Sequence, residues 1–246
     1  YPVWLCYPAG MLEDSRVLDA PPHGISIPQT VEIARDYEFV VLFTSTPGFQ
    51  VDVRIAGMMK DANPRLKIAF VGTLKSSTAI DFIVRGEFER QVVDYARGKP
   101  VEELPGASWR EDGGFRHNPA GAFIENLDEL PWVTRIYKRD LDITRYNVPF
   151  LLNPFIAFYT SRGCPAMCTY CLWPQTHSGH RWRVRSAGDV AAEVRFALEQ
   201  FPNLREIFFD DDTFNYQKAR TVELCRALKP LKFTWSCTSR VTTDYE

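Results

Sequence analysis

Three closely spaced cysteines constrain this chain more than any other feature. Cys164, Cys168 and Cys171 have three and then two residues between them, and they follow directly on the apolar run 155–159. Cysteine thiolates are the usual protein ligands of iron–sulfur clusters, and a [4Fe-4S] cubane has four irons. Three cysteines would leave one iron without a protein ligand, so that a substrate or cofactor could bind it directly.

The same thiols admit two other interpretations. Structural zinc takes four nitrogen or sulfur ligands, so His177 or His180 could complete a Cys3His zinc site. Disulfides would place the chain in an oxidising compartment. Six cysteines, three of them clustered, do not form a disulfide pattern. The cysteine usage therefore favours a reducing environment, and we expect a cytoplasmic protein.

Composition excludes several classes of function. The chain has 246 residues, of which 45% are hydrophobic and 24% charged, enough for one large or two ordinary globular domains. A formal net charge of −2 gives no reason to expect a nucleic-acid partner. No apolar run reaches the roughly 18 residues of a membrane span. The chain starts without a methionine and stops just after a predicted strand, so we expect a fragment.

Residues 1–99 alternate between apolar strands and amphipathic helices. The predicted strands cover 16–19, 39–44, 67–71 and 79–84, and the predicted helices cover 2–12, 26–37, 52–62 and 87–97. This alternation predicts an α/β domain with an open, doubly wound sheet of the Rossmann or flavodoxin-like kind. Its first strand, normally central, would precede Tyr1.

Ligands of such sheets bind beyond the carboxyl ends of the strands. In this domain those ends carry polar and glycine residues, namely Thr44, Ser45, Gly72, Gly86 and Glu87. The same residues could equally be ordinary turn and cap residues. Residues 100–154 then form a predicted linker, in which Asp112-Gly-Gly114 indicates a β-hairpin.

Residues 155–246 contain three predicted strands, at 155–160, 206–209 and 233–237, with helices after Ser186 and Asn215. The cysteine loop follows the first strand, Asp210-Asp211-Asp212 the second, and Arg240 the third. In a barrel of alternating strands and helices, that end carries the chemistry. The alternatives are a solvated acidic helix N-terminus for the aspartates and a surface position for Arg240.

The cysteine spacing, with Tyr170 just before the last cysteine, resembles the radical S-adenosylmethionine (SAM) enzymes. The resemblance implies that Cys164, Cys168 and Cys171 hold a catalytic [4Fe-4S] cluster and that SAM binds the open iron. It implies SAM contacts from Tyr170, from Asp210, Asp211 and Asp212, and from Arg240. Residues 155–246 would be the first half of a partial (β/α) barrel, truncated after its third strand. The implied chemistry is reductive cleavage of SAM to a 5′-deoxyadenosyl radical, with flavodoxin or ferredoxin as reductant.

A sheet domain before this motif resembles the cobalamin-binding domain of the B12-dependent radical SAM enzymes. The resemblance implies that Thr44, Ser45, Gly72, Gly86 and Glu87 contact cobalamin. This sequence differs from that family in one respect. The Asp-x-His-x-x-Gly motif is absent, and no histidine lies between positions 23 and 117.

Several further sequence segments are similar to segments of the hopanoid-biosynthesis-associated radical SAM proteins. They are Thr44-Ser-Thr-Pro47, Arg85-Gly-Glu87, Gly163-Cys-Pro-Ala-Met-Cys-Thr-Tyr-Cys-Leu-Trp-Pro-Gln-Thr176, Gly179-His-Arg-Trp-Arg183 and Phe208-Phe-Asp-Asp-Asp-Thr-Phe214. The implied reaction rearranges the amino sugar of a hopanoid lipid head group into a cyclitol ether, with a peripheral contact at the inner face of the membrane. Two alternatives stay open: a cobalamin-dependent radical methyltransferase acting on another small-molecule or lipid substrate, and a non-catalytic zinc or iron–sulfur binding module.

Overall fold

The computed structural model of the protein describes residues 1–72, 77–173 and 178–241. They form two compact units. We call residues 1–19, 124–173 and 178–241 the cysteine unit, and residues 20–72 and 77–123 the sheet unit. The division differs from the boundaries drawn from the sequence, because residues 1–19 and 124–154 pack with the cysteines.

The helices and strands are named here in chain order. The helices are α1 (Val3–Gly10), α2 (Ile27–Ala34), α3 (Phe49–Ala62), α4 (Glu89–Ala96), α5 (Val133–Asp140), α6 (Ala187–Gln200) and α7 (Lys218–Leu228). The strands are β1 (Phe39–Phe43), β2 (Lys67–Val71), β3 (Phe82–Val84), β4 (Ala107–Glu111), β5 (Gly114–His117), β6 (Phe155–Phe158), β7 (Ser161–Arg162), β8 (Arg183–Val184), β9 (Glu206–Phe209) and β10 (Trp235–Cys237).

The sheet unit contains one five-stranded sheet in the order β1-β2-β3-β4-β5. Strands β1 to β3 are parallel, as the alternation of strands and helices predicts, and β4 and β5 form the predicted hairpin. The hairpin extends the sheet instead of lying in a separate linker, because β4 pairs antiparallel with β3. Strand β1 lies at the edge of this sheet and is only half-buried.

The cysteine unit is built on a parallel sheet in the order β10-β9-β6. Helix α6 connects β6 to β9, and α7 connects β9 to β10, so the predicted alternation of strands and helices is confirmed. In the register of the sheet, Phe158 lies opposite Phe209, and Phe209 lies opposite Cys237. The three strands therefore end at one edge, where the cysteine loop, the three aspartates and Thr238 follow.

Two local predictions for this unit are wrong. No strand forms at residues 16–19, because the Val17 amide donates to the Asp140 carboxylate over 2.8 Å. Asn215 does not cap the next helix, which begins only at Lys218. The buried side chains of α7 recur every four residues, at Arg220, Leu224 and Leu228, so the helix presents a polar residue to the interior.

Tyrosine hydroxyls cover the free edge of β6. The carbonyls of Pro154 and Phe158 accept hydrogen bonds from the β9 side, so the carbonyls of Phe155 and Ala157 face away from β9. The Tyr1 hydroxyl donates to Phe155 over 2.5 Å, and the Tyr137 hydroxyl donates to Ala157 over 2.8 Å. The two rings stack with centroids 4.6 Å apart. In the part of the chain that the structure describes, side chains and not a further strand close this edge.

We expect Tyr137→Phe to lower the free energy of unfolding by about 1–3 kcal/mol, because the buried Ala157 carbonyl would lose its donor. Urea unfolding of the purified protein measures the change. Tyr216→Phe is the matched control, since Tyr216 is 43% exposed; we expect it to change the free energy by less than about 0.5 kcal/mol. Equal effects of the two variants would contradict the role given to the Tyr137 hydroxyl.

Candidate functional site

The three cysteines lie on the loop that leaves β7. All three are free and partly buried. The Cys164 amide donates to the Gly179 carbonyl over 3.3 Å, and the Cys171 amide donates to Cys168 over 3.1 Å. Gly163 precedes the loop with φ +88°, and a Cβ there would overlap the Arg181 carbonyl oxygen. Glycine is therefore required where the chain enters the loop.

The thiols fit a cluster by their chemistry and are not drawn together into a closed site. Among the described residues, no group of three or more His, Cys, Asp or Glu is arranged to hold a metal ion. All six cysteines are free, so the disulfide interpretation is wrong. His180 is exposed, with Nδ1 3.1 Å from the Cys164 carbonyl oxygen, and His177 lies outside the described residues. Three free thiols on one loop are the donor set of a [4Fe-4S] cluster with one open iron.

Asp211 anchors the strand end from which the loop departs. Its carboxylate accepts from the Thr160 amide and hydroxyl, each over 2.5 Å, and from the Ser161 amide over 3.0 Å. The residue is 1% exposed. Burial raises the pKa of this carboxyl, and the bonds from Thr160 oppose the shift. Because both oxygens are engaged inside the protein, Asp211 positions the backbone, which differs from the SAM contact expected for it.

Asp212 holds the two ends of the cysteine loop together. Its carboxylate accepts from the Gly163 amide over 2.8 Å and bonds the Trp173 side chain. Burial raises its pKa to about 6, although both hydrogen bonds favour the charged form. Asp210 is less engaged: its carboxylate lies 3.5 Å from the Tyr159 hydroxyl. Burial and the charge of Asp211 raise the pKa of Asp210.

The basic run after the loop is partly internal, which the sequence pattern did not reveal. Arg185 is 5% exposed and pairs with Asp189 and Glu193, each over 2.6 Å. Its guanidinium also donates to the Tyr159 carbonyl over 3.2 Å. Asp189 and Glu193 lie four residues apart on one face of α6, and Arg185 lies just before that helix, so this spacing was the available signal.

Two more buried arginines donate hydrogen bonds to backbone carbonyls around the cysteine loop. Arg183 donates to the carbonyls of Ile124 over 2.8 Å and Ser178 over 3.0 Å. Arg220 of α7 donates to the carbonyls of Thr160 over 3.3 Å and Arg185 over 3.2 Å. Burial lowers the pKa of Arg220, and the nearby Asp211 opposes that shift. Arginines from outside the cysteine motif therefore hold its strand ends in place.

Polar atoms without partners lie beside these anchors. The hydroxyls of Ser161 and Thr213 are buried and have no hydrogen-bond partner within the part of the chain that the structure describes. An unsatisfied buried hydroxyl costs about 1–3 kcal/mol, which a polar ligand or water would offset. A cofactor rich in polar groups, such as SAM, fits this environment. Of the other predicted SAM contacts, Tyr170 is 88% exposed and Arg240 is partly buried.

In the sheet unit, the strand ends bring the predicted cobalamin residues to one edge. Thr44 is 1% exposed and its hydroxyl bonds the Asp52 carboxylate, whereas Ser45 is exposed and accepts from the Gly48 amide over 3.3 Å. Gly72 has φ +81°, and a Cβ there would lie 2.8 Å from the Thr44 carbonyl oxygen. Gly86 has φ +72° with open space around it, and Glu87 is 5% exposed. The residue after Gly72, Thr73, lies outside the described residues.

This edge fits a cobalamin ring but offers its cobalt no imidazole. Glycine backbone and small side chains at the strand ends leave room for a flat ligand. The first histidine that follows these residues along the chain, His117, lies on β5, where its Nδ1 is 2.9 Å from the Ser108 hydroxyl. The loops at the strand ends contain no histidine.

Comparison with known proteins agrees with this architecture. No protein-family profile matches the chain. An uncharacterized methyltransferase of Pyrococcus horikoshii is 29% identical over 266 aligned positions, which cover 100% of this chain and 56% of that protein. The anaerobic magnesium-protoporphyrin IX monomethyl ester cyclase of Synechocystis is 25% identical over 75% of this chain and 38% of its own length. The hopanoid C-3 methylase of Methylococcus capsulatus is 28% identical over 61% of this chain and 27% of its own length. The chain thus spans about half or less of each relative.

Two solved structures share the arrangement of strands and helices. The cobalamin-dependent SAM radical enzyme OxsB, solved with aqua-cobalamin, superposes with a TM-score of 0.72 at 18% identity, over 96% of this chain and 35% of OxsB. The chain shares the fold of this part of OxsB. The radical SAM methyltransferase TsrM of Kitasatospora setae, solved with cobalamin and a [4Fe-4S] cluster, gives 0.67 at 16% identity, over 92% of this chain and 47% of TsrM. The predicted fold class is therefore confirmed.

Among the described residues, no helix has the length and apolar character needed to cross a membrane.

We expect Gly163→Ala to destabilise the protein by at least about 2 kcal/mol, because alanine at a positive φ is strained and its Cβ would overlap a fixed backbone oxygen. Thermal or urea unfolding measures the loss. Gly188→Ala is the matched control, since a Cβ on Gly188 of α6 would meet no atom within 4 Å. This control should be neutral or slightly stabilising. A neutral Gly163→Ala variant would contradict the geometry of the loop entrance.

We expect the stability of the metal-free protein to fall as the pH rises through the range set by Asp212. Its pKa is about 6 in the folded protein and about 3.9 when unfolded. The folded state therefore keeps a proton that the unfolded state has lost, so stability decreases between about pH 4 and the folded pKa. Urea unfolding across this range should give a smaller decrease for Asp212→Asn, by on the order of 2 kcal/mol. Identical pH profiles would argue against the buried carboxylate.

Proposed function

We propose that the protein is a cobalamin-dependent radical SAM methyltransferase whose [4Fe-4S] cluster binds Cys164, Cys168 and Cys171. The observation that carries the proposal is the position of three free thiols on a loop at the carboxyl end of β6, in a parallel sheet of alternating strands and helices. The relatives support methyl transfer, since that of Pyrococcus horikoshii is named a methyltransferase and that of Methylococcus capsulatus a methylase.

The described residues divide into those that would meet SAM and those that hold the site. Asp210 keeps carboxylate capacity for the SAM amino group, and the Arg240 guanidinium could pair with the SAM carboxylate. Tyr170 on the exposed loop would lie near the adenine. Asp211 and Asp212 are engaged with the backbone and hold the strand end and the loop. When bound, the cluster and SAM would supply the 5′-deoxyadenosyl radical, and cobalamin the methyl group, that the reaction needs.

In the sheet unit we propose that the edge formed by Thr44, Ser45, Gly72, Gly86 and Glu87 contacts cobalamin. Thr44 and Gly72 contribute a tight backbone approach, because the Thr44 amide donates to the Val71 carbonyl over 3.0 Å. Ser45 and the open space at Gly86 leave this edge accessible. Since the strand-end loops contain no histidine, cobalamin would bind here without an imidazole ligand from them.

The substrate is proposed at the level of a small molecule or lipid. A hopanoid is one candidate, because the chain is similar to the hopanoid C-3 methylase. The narrower expectation, rearrangement of a hopanoid amino sugar into a cyclitol ether, rests only on the resemblance of short sequence segments. Mass spectrometry separates these reactions, because methylation adds one methylene unit to the product and rearrangement transfers no methyl group. A flavodoxin or ferredoxin reductant, a cytoplasmic location and a peripheral membrane contact remain predictions.

Anaerobic reconstitution of the full-length protein tests the cluster. We expect about four irons per chain, and 5′-deoxyadenosine when SAM and dithionite are added. Cys168→Ala should abolish both, whereas Cys237→Ala, a partly buried cysteine on β10 outside the loop, should leave both intact. A colourless protein with stoichiometric zinc would refute the proposal.

Cobalamin binding is tested separately from the cluster. We expect the reconstituted protein to retain cobalamin through gel filtration, seen in its visible spectrum. Gly72→Val should reduce retention, because a side chain there meets the Thr44 carbonyl oxygen and is strained at positive φ. Wild-type protein that retains no cobalamin would contradict this part of the proposal and leave the cluster result unaffected.

A further inference from the structure

Helix α1 is distant from the cysteines in sequence but packs beside their loop in the cysteine unit. Trp4 of this helix is 7% exposed. Its ring centroid lies 4.8 Å from that of Tyr159 and 6.0 Å from that of Trp173. Tyr159 precedes the loop and Trp173 follows its last cysteine, so a single side chain contacts both ends of the loop.

The same helix also holds the residue that introduces the first cysteine. The Arg162 guanidinium lies 4.6 Å from the Trp4 ring centroid and 4.7 Å from that of Tyr7. Arg162 is 1% exposed, so its charge faces aromatic rings instead of water. Cation–π contacts are stronger when they are desolvated in this way. Since only Gly163 separates Arg162 from Cys164, the two rings fix the backbone that presents the first thiol.

The loop depends on such contacts at its ends. Within the described part of the loop, the Cys164 amide donates to the Gly179 carbonyl and the Cys171 amide donates to the Cys168 carbonyl. Its large apolar side chains point outward, with Met167 77%, Tyr170 88% and Leu172 68% exposed. The positions of the three thiols are therefore determined mainly by how the loop ends are held.

We propose that Trp4, together with Tyr7, is a positioning element that fixes both ends of the cysteine loop and thereby sets how tightly the iron–sulfur cluster is retained. This inference rests on the proposed function, since it takes the three cysteines as the cluster ligands. The inference adds Trp4, which lies outside the cysteine motif and outside the strands that carry it, to the residues that support the cluster.

The test uses the full-length protein after anaerobic reconstitution. An iron chelator is added, and loss of the cluster is followed by its visible absorbance, with the EPR spectrum of the reduced cluster as a second measurement. We expect Trp4→Ala to release iron roughly tenfold faster and to broaden the EPR signal, because two aromatic pairs and a cation–π contact are lost. Trp4→Phe should release iron at close to the wild-type rate.

Cys6→Ala is the matched control on the same helix. Cys6 is 0% exposed and lies near Asp140 of α5, so its loss perturbs the packing of α1 without removing a contact to the loop given above. We expect its release rate to equal that of the wild type. Arg162→Lys supplies a second variant that keeps the charge and loses the planar face, and it should release iron faster than the wild type even where Trp4→Ala fails to fold.

The outcomes separate the two proposals. Equal release from the wild type, Trp4→Ala and Arg162→Lys would overturn the positioning role while the cluster itself stands. Release from Cys6→Ala as fast as from Trp4→Ala would also overturn it, since general loosening of α1 would then suffice. Wild-type protein that takes up no iron would refute the proposed function and this inference with it.

Discussion

The carboxylate of Asp211 joins the ends of two parallel strands, and the geometry of the cysteine unit depends on that junction. It accepts from Thr160 after β6 and Ser161 at the start of β7, while its own backbone continues from β9. A buried carboxylate is costly unless it is fully hydrogen-bonded. Here the bonds are complete, and Arg220 lies close enough to favour the charge. The strand ends are therefore locked together where the cysteine loop begins, and Asp212 extends the junction to Gly163.

A second network accounts for the buried charged residues that follow the loop. Arg185 meets Asp189 and Glu193, and Glu193 also accepts from the Thr134 amide and hydroxyl over 3.1 and 3.0 Å. Trp132 donates to Asp189 over 2.8 Å. Buried ion pairs of this kind specify one arrangement more than they add stability. The network thereby attaches α5, which lies before β6 in the chain, to α6.

Much of the fold could be predicted from local sequence. Strands β2 and β9 occur at the predicted residues, and the hairpin follows from Asp112 and Gly113, whose φ values of 50° and 78° suit the residues of that turn. Helix capping was less predictable, since the helix expected to begin at Asn215 begins only at Lys218. The edge position of β1 also escaped prediction, because its apolar pattern is the same whether one face or both are covered. Local patterns report how apolar a segment is, whereas its neighbours depend on distant parts of the chain.

For the candidate site as well, some features could be read from the sequence and others only from the tertiary structure. The sequence by itself determined the donor chemistry, since three thiols at this spacing leave one iron open, and it determined the order of strands whose ends carry the polar residues. Only the tertiary structure decided which aspartate is engaged and which keeps free capacity, because that depends on which backbone amides lie within hydrogen-bonding distance. It also decided that Trp4 and Tyr7 flank Arg162. Long-range packing of this kind leaves no local pattern, so residues at the start of the chain could be assigned to the cysteine loop only from three-dimensional contacts.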